Sequence, residues 1–446
     1  MRIVQAVGWY LPDSLGGTEL YVAALAAWLQ RAGHDVHVAA PDAAQAGERR
    51  YEYAGVPVYR YPIPSRATRD EARGRTPVRG AERFHRWLEA LTPDIVHVHT
   101  FVTGLGLAEI EAAQATGARV IVTSHSASLG FVCERGTMLR LGRALCDGLT
   151  EPVKCAACAL EARHVPEPLA DALARIPGPL SRAARRWPGG AGTALAMRAL
   201  IDGNIDRQRR LFAHADAVVV LSDWAAAVLR ANGAPADRVV VNRLGIDAAR
   251  PGASTRKPGP DARPTETPVT IGFVGRAEAI KGLDDAVRAV ASLPANLPIR
   301  LRAIVVASTD ADRAELDRCR QLASGDPRIA FEPAVSPGQV PALLSSLDLL
   351  VCPSRAVEGG PTVALEAHAA GTPVVGTAMP ALTEIVTDGV NGRLVPPGDW
   401  RALARVLLDA ASNPPESIDR WRAALPAPRT TDLIAREYLE LYTRVR

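Results

Sequence analysis

Short apolar, β-branched runs alternate along this chain with stretches of helical periodicity, and turn residues separate them. Such alternation is the pattern of a parallel sheet covered by helices on both faces. The first half reads as strands at Arg2–Val7, His34–Ala40, Asp94–His99, Arg119–Thr123, Ala217–Leu221 and Arg238–Asn242, with a helix over Glu19–Ala32 ended by Gly33. Residues 250–268 then carry five prolines and little apolar content, which predicts a linker. The alternation restarts with predicted strands at Val269–Val274, Ile299–Val306, Arg328–Phe331, Leu347–Cys352 and Pro373–Gly376. Between them helices are expected at about Leu283–Leu293, Ala311–Leu322, Pro337–Ser345 and Thr362–Ala370. The expected fold class is α/β, with two doubly wound domains facing a central cleft; such sheets bind ligands at the carboxyl ends of their strands.

Composition narrows the partners. At 446 residues with 48% hydrophobic and 22% charged residues, the chain has material for two cores and is not globally disordered. Aromatics at 5% and a net charge of +4 argue against a nucleic-acid partner. No run approaches the length of a membrane span, and the opening MRIVQAVGWY reads as a strand rather than a secretory signal, so the expected localisation is cytoplasmic.

Two stretches of the second half carry chemistry. In Gly272-Phe-Val-Gly-Arg276-Ala-Glu-Ala-Ile-Lys281-Gly282 a strand runs into a tight turn and two cations follow before a helix, an arrangement suited to a diphosphate. It lacks the second glycine of a dinucleotide loop and the Lys-Ser/Thr of a P-loop. The second stretch is Glu358-Gly359-Gly360-Pro361-Thr362-Val363-Ala-Leu-Glu366. Pro361 occupies the expected first helical position, so the N–H groups of Gly360 to Val363 are predicted to form an anion cradle. Glu358 and Glu366 are placed to accept hydrogen bonds from the hydroxyls of a sugar.

These stretches, F-V-G-R-x-x-x-x-K-G and E-G-G-P-x-x-x-L-E-A-x-A-x-G-x-P-V-V, resemble the retaining glycosyltransferases of family GT4, which have the GT-B fold of two Rossmann-like domains. The resemblance implies that Arg276 and Lys281 bind the diphosphate of a nucleotide-sugar donor and that Glu366 holds the ribose. It further implies that Glu358 contacts the sugar and that the Gly359–Val363 backbone contacts phosphate and sugar. No catalytic metal is implied, because the two cations and the helix terminus neutralise the leaving group. In the first half the family's glycine-rich loop corresponds to Gly16 and Gly17, near the donor phosphates. His125, directly after a strand, corresponds to a residue that touches the transferred sugar or orients the acceptor hydroxyl. The expected catalytic set is His125, Glu358, Arg276 and Lys281. His97 is expected in the core and His99 at the cleft. Asn242-Arg-Leu-Gly245-Ile-Asp247 resembles the family's P-N-G-I-D turn with its order broken.

Four of six cysteines, Cys133, Cys146, Cys155 and Cys158, fall in C-x12-C-x8-C-x2-C spacing, which predicts a structural Zn²⁺ site with an iron–sulfur cluster as the lesser alternative. Cys319 and Cys352 are expected as isolated buried thiols. Between Arg163 and Arg210 lie nine arginines against four acids, so this part of an insertion at about 126–212 is a candidate for peripheral contact with the inner face of a membrane or for a lipid-linked acceptor. The expected layout is an acceptor domain over 1–250, a linker over 251–268, a donor domain over 269–428, and a terminal helix over 429–446 returning to the first domain. The leading function is sugar transfer to a carbohydrate, lipid-linked or small-molecule hydroxyl, in polysaccharide, glycolipid or secondary-metabolite synthesis. The alternatives are a nucleotide-sugar epimerase and a non-catalytic binding module of the same fold.

Overall fold

The apolar runs assemble into two separate sheets, each buried by helices. In the computed structural model, residues 1–14, 16–72, 76–125, 132–246 and 267–446 are described; Asp247 and the proline-rich 251–266 lie outside them. The chain divides into one unit of Met1–Arg243 with Thr431–Arg446, and a second of Leu244–Thr430.

The first unit contains β1 (Arg2–Ala6), β2 (Asp35–Asp42), β3 (Arg49–Tyr53), β4 (Val56–Pro62), β5 (Ile95–Val98), β6 (Arg119–Ser124), β7 (Leu139–Arg140), β8 (Ala144–Leu145), β9 (Ala217–Val220) and β10 (Val239–Val241). Eight of these form a sheet in the order β10-β9-β6-β5-β1-β2-β4-β3, parallel except for the β3–β4 hairpin, while β7 and β8 pair alone. Ile3, Val36, Val38, Ile95, Ile121 and Val219 pack against Val22, Leu25 and Leu29 of the helix Gly17–Arg31. The helix Thr431–Val445 closes the same core with Ile434, Tyr438 and Tyr442. Asn242, in the turn resembling P-N-G-I-D, is buried and donates to the Ile434 carbonyl at 3.3 Å.

The sequence reading omits β3 and β4. The run VPVYRYP mixes Pro and Arg into a strand, yet Arg60 is buried because Asp13 meets its guanidinium at 3.0 Å. It also omits the helices of the insertion, Pro152–Glu161, Glu167–Ala174, Gly178–Ala184, Gly189–Leu195 and Met197–His214. The prolines and glycines that look like breaks stand at or just before the starts of the first four, where a missing N–H costs nothing.

The second unit has β11 (Val269–Arg276), β12 (Ile299–Val306), β13 (Ile329–Pro333), β14 (Leu349–Cys352), β15 (Val374–Thr377) and β16 (Gly392–Val395). All run parallel, in the order β13-β12-β11-β14-β15-β16. The strand order reverses between β11 and β14, and that switch point opens a crevice at the carboxyl ends of both strands. Two loops emerge there and are stitched together. Gly282 has φ +71°, and a Cβ on it would meet the Pro353 carbonyl oxygen at 2.1 Å. The Arg355 N–H donates to the Ile280 carbonyl at 2.7 Å. The Arg355 guanidinium reaches Asp284 and Asp285 at 2.8 Å each. Burial raises the Asp285 carboxyl, whereas at Asp284 burial is outweighed by hydrogen bonds from Arg355 and Arg318, which hold it below its usual value.

Gly282→Ala therefore combines a left-handed backbone with a backbone clash. The expected cost is about 2–4 kcal/mol, read as a lowered urea midpoint for the second unit.

Candidate functional site

Each unit places a cavity at the switch point of its sheet. The one in the second unit, about 240 Å³, lies beyond β11 and β14 and is lined by Gly275, Arg276, Lys281, Glu358 and the segment Gly360–Val363. Arg276 ends β11, is 60% exposed and pairs with Glu278 at 2.6 Å. The Lys281 ammonium meets the Glu358 carboxylate at 2.7 Å, both about one-quarter exposed, so residues 77 positions apart form one polar edge. The helix Thr362–Ala369 starts at this wall. The helix begins at Thr362 as expected, but Pro361 is its cap rather than its first residue, with φ −76° and ψ 85°. The N–H groups of a first helical turn have no acceptor within the helix, so Thr362 and Val363 present an anion-favouring end to the cavity.

Two predicted residues stand outside this wall. Glu366 is half-buried one turn further along the helix, and Gly359 is not among the lining residues. Cys352, expected as an isolated thiol, lines the cavity instead, and burial pushes its thiol up to about 12; Cys319 is fully buried in the core.

The four clustered cysteines are free thiols and all line one small cavity in the first unit. Among the described residues, no group of three or more His, Cys, Asp or Glu side chains is arranged, as it stands, to hold a metal ion.

The large cavity of the first unit, about 1280 Å³, sits at the switch point between β1 and β5. Its wall mixes carboxylates such as Asp13 and Glu109 with Arg60 and Arg207, and adds the exposed Trp9. Gly16 and Gly17 lie apart from it, at the start of the helix Gly17–Arg31.

His125 follows β6 and ends a buried hydrogen-bonded chain that the sequence reading did not foresee. The Gln5 amide sets its direction: Nε2 donates to the Tyr442 hydroxyl at 3.2 Å, and Oε1 accepts from His99 Nε2 at 2.6 Å. His99 Nδ1 must then accept, so the His125 Nε2–H donates to it across 3.1 Å. This assignment leaves His125 Nδ1 as an acceptor. Onward from Tyr442, His97 Nδ1 stands 2.6 Å away and its Nε2 is 2.7 Å from Thr123, which contacts the Tyr438 hydroxyl at 3.0 Å. His97 and His99 are both buried, so His99 does not reach a cleft and acts through His125. Period-two placement of His97 on β5 and His99 just beyond its end was legible; Gln5, Thr123, Tyr438 and Tyr442 carry no local signal.

Burial lowers all three histidines, His125 to about 4 and His97 and His99 well below their ordinary value. The folded protein therefore binds fewer protons than the unfolded chain below the ordinary histidine value. Stability is complete above about pH 6.5 and is lost as pH falls toward about 4, by about 1.4 kcal/mol per pH unit from His125, with His97 and His99 adding losses of the same sign. Urea unfolding between pH 7.5 and 5 checks this slope, which His97→Gln is expected to reduce.

Comparison with known proteins places this geometry. Residues 16–245 match the model of the glycosyl transferase 4-like domain, and residues 260–425 match that of glycosyl transferases group 1. The D-inositol 3-phosphate glycosyltransferase of Acidothermus cellulolyticus is 33% identical over 214 residues, covering 44% of this chain and 47% of that protein. The chain spans about half the length of the curated relatives it matches. Among solved structures, sucrose-phosphate synthase from Thermosynechococcus elongatus aligns over 100% of this chain and 99% of its own at TM-score 0.64 and 18% identity. HepE of Anabaena, in complex with UDP, aligns over 100% of both chains at TM-score 0.64 and 14% identity, a likeness of fold. The two domain matches, the Arg276–Lys281–Glu358 cavity and the parallel sheets agree: the chain belongs to the GT4-type glycosyltransferases of the GT-B fold.

Proposed function

We propose that this chain transfers a glycosyl group from a nucleoside-diphosphate sugar to a hydroxyl acceptor with retention at the anomeric carbon. The observation that carries the reading is the convergence of Arg276, Lys281, Glu358 and a helix N-terminus on one cavity. Structures of HepE with UDP and with UDP-glucose support the donor class. In the transfer, the bond from the anomeric carbon to the β-phosphate oxygen breaks and a bond to the acceptor oxygen forms on the same face. The acceptor proton passes to the departing diphosphate. Arg276, Lys281 and the N–H groups at Thr362 and Val363 offset the charge that develops on that diphosphate, so this reading needs no catalytic metal. As Lys281 exchanges its carboxylate for phosphate, Glu358 becomes free to accept from a sugar hydroxyl. Glu366 takes the ribose hydroxyls, and in the first unit neutral His125 offers Nδ1 to an acceptor hydroxyl. The mixed carboxylate, guanidinium and tryptophan wall of the larger cavity suits a carbohydrate acceptor, free or lipid-linked.

The same reading sets the insertion against an anionic membrane on the cytoplasmic side. From Ala172 to Ile201 there is no acid, Arg175, Arg182, Arg185 and Arg186 are exposed, and Leu180 and Trp187 are 63% and 59% exposed. Apolar anchors among arginines match the interface of anionic lipid.

Calorimetric titration with a panel of nucleotide sugars tests the donor site. One donor is expected to bind, with Lys281→Ala weakening it about 10- to 100-fold and Glu366→Ala about tenfold. Absence of binding, or affinity unchanged in both variants, overturns the assignment. Sedimentation with phosphatidylglycerol–phosphatidylcholine vesicles tests the membrane contact. Binding is expected at low salt, is lost in about 0.5 M salt, and drops at least about threefold in the Leu180→Ser, Trp187→Ser double variant. Equal sedimentation with pure phosphatidylcholine counts against it.

A further inference from the structure

The segment from Cys133 to Cys158 is poorly equipped to hold itself together by apolar packing. Strands β7 and β8 are two residues each and, among the described residues, pair only with one another, Leu139 with Leu145 and Arg140 with Ala144. A hairpin of that size is not stable alone in water. The neighbouring core is rich in alanine: Ala156, Ala157, Ala159, Ala170 and Ala174 are five of its nine buried residues. A small unit with a thin core needs a covalent or metal staple.

The thiols stand where such a staple would go. Cys133 precedes the hairpin, and Cys146 follows β8, its N–H closing the turn onto the Met138 carbonyl at 2.9 Å. Cys155 and Cys158, three residues apart on the helix Pro152–Glu161, share one face of it. All four line a single cavity of about 30 Å³, close to the space of one water molecule. Two of the sulfurs already accept backbone N–H groups: Cys158 from Leu141 at 3.3 Å and Cys155 from Glu151 at 3.4 Å. Arg135, Arg140 and Lys154 line the same cavity. Four thiolates around a divalent ion carry a net charge of about −2, and these three cations are placed to balance it.

From this arrangement we infer that Cys133, Cys146, Cys155 and Cys158 bind one Zn²⁺ ion, which staples the β7–β8 hairpin to the start of the helix Pro152–Glu161. As they stand, Cys146, Cys155 and Cys158 donate their S–H groups to the Asp147 carboxylate at 3.6 Å and to the Leu149 and Leu139 carbonyls at 3.8 and 3.6 Å. Binding removes those protons. Four thiols and Zn²⁺ give a tetrathiolate complex and release four protons, with no change in oxidation state. The thiols then turn from the carbonyls to the ion, and the two N–H contacts to sulfur remain. The inference is independent of sugar transfer, because the donor cavity belongs to the other unit.

Elemental analysis of the full chain, purified in the presence of a thiol reductant, tests it directly. About one zinc per chain is expected, falling below about one-tenth in the Cys155→Ser, Cys158→Ser double variant and unchanged in Cys319→Ser. Because the double variant can fail to fold, cobalt exchange into the unaltered chain supplies a second reading. Tetrahedral Co²⁺ bound by four thiolates shows sulfur-to-metal charge-transfer and d–d absorption, and adding Zn²⁺ abolishes both. Zinc below about half an equivalent together with silent cobalt spectra overturns the inference. So does full zinc content in the double variant, or acid-labile sulfide with iron in place of zinc. Donor binding measured on the same samples is expected to be unchanged by chelation, which separates this result from the fate of the transferase reading.

Discussion

The second unit depends on the clamp between the two loops that leave β11 and β14. Arg355, on the later loop, reaches back to Asp284 and Asp285 at the start of the helix after the earlier one, and Gly282 lets the Pro353 backbone come close. Partly buried carboxylates would be costly without a partner, and the guanidinium supplies one in a planar, two-pronged form. With the loops locked, Lys281 and Glu358 stand 2.7 Å apart as a pre-formed polar edge rather than two mobile surface charges. Preorganisation of that kind is what a site that stabilises a departing diphosphate requires, since little reorganisation is left for the moment of reaction.

The first unit solves a different problem. Its sheet buries two imidazoles, His97 and His99, and several hydroxyls in an otherwise apolar core, and each needs a partner. The terminal helix brings Tyr438 and Tyr442 to them, so the last residues of the chain complete a hydrogen-bonded chain begun by Gln5 on the first strand. The order of donors and acceptors in that chain, rather than its own burial, leaves the outer nitrogen of His125 as an acceptor.

Legibility differed by kind of residue. Arg276, Lys281 and Glu358 were readable because strand-end glycines and an apolar run before each loop announce where the chain turns. Their partner Arg355 was not, since an arginine in a loop looks the same whether it faces water or two aspartates. Strand β4 was missed because Arg60 is buried by pairing with Asp13, a contact 47 residues away that no local pattern registers. In the insertion, Pro177, Pro179 and Pro188 stand within or just before the first turns of helices, where proline begins a helix as well as it ends one.

Periodicity and turn chemistry by themselves determined the alternating elements, the two-sheet class, the anionic-ligand motifs and the spacing of the four cysteines. Those are properties of neighbours within a few residues, where backbone preference and side-chain period act directly. Tertiary structure decided which of them meet: that Glu366 lies one turn outside the wall that Glu358 joins, that Cys352 lines the same cavity as Lys281, and that His99 hydrogen-bonds His125 from within the core. Such contacts join residues from 26 to 437 positions apart. They follow from strand order and register, which set the distances between side chains and are written nowhere in a local stretch of sequence.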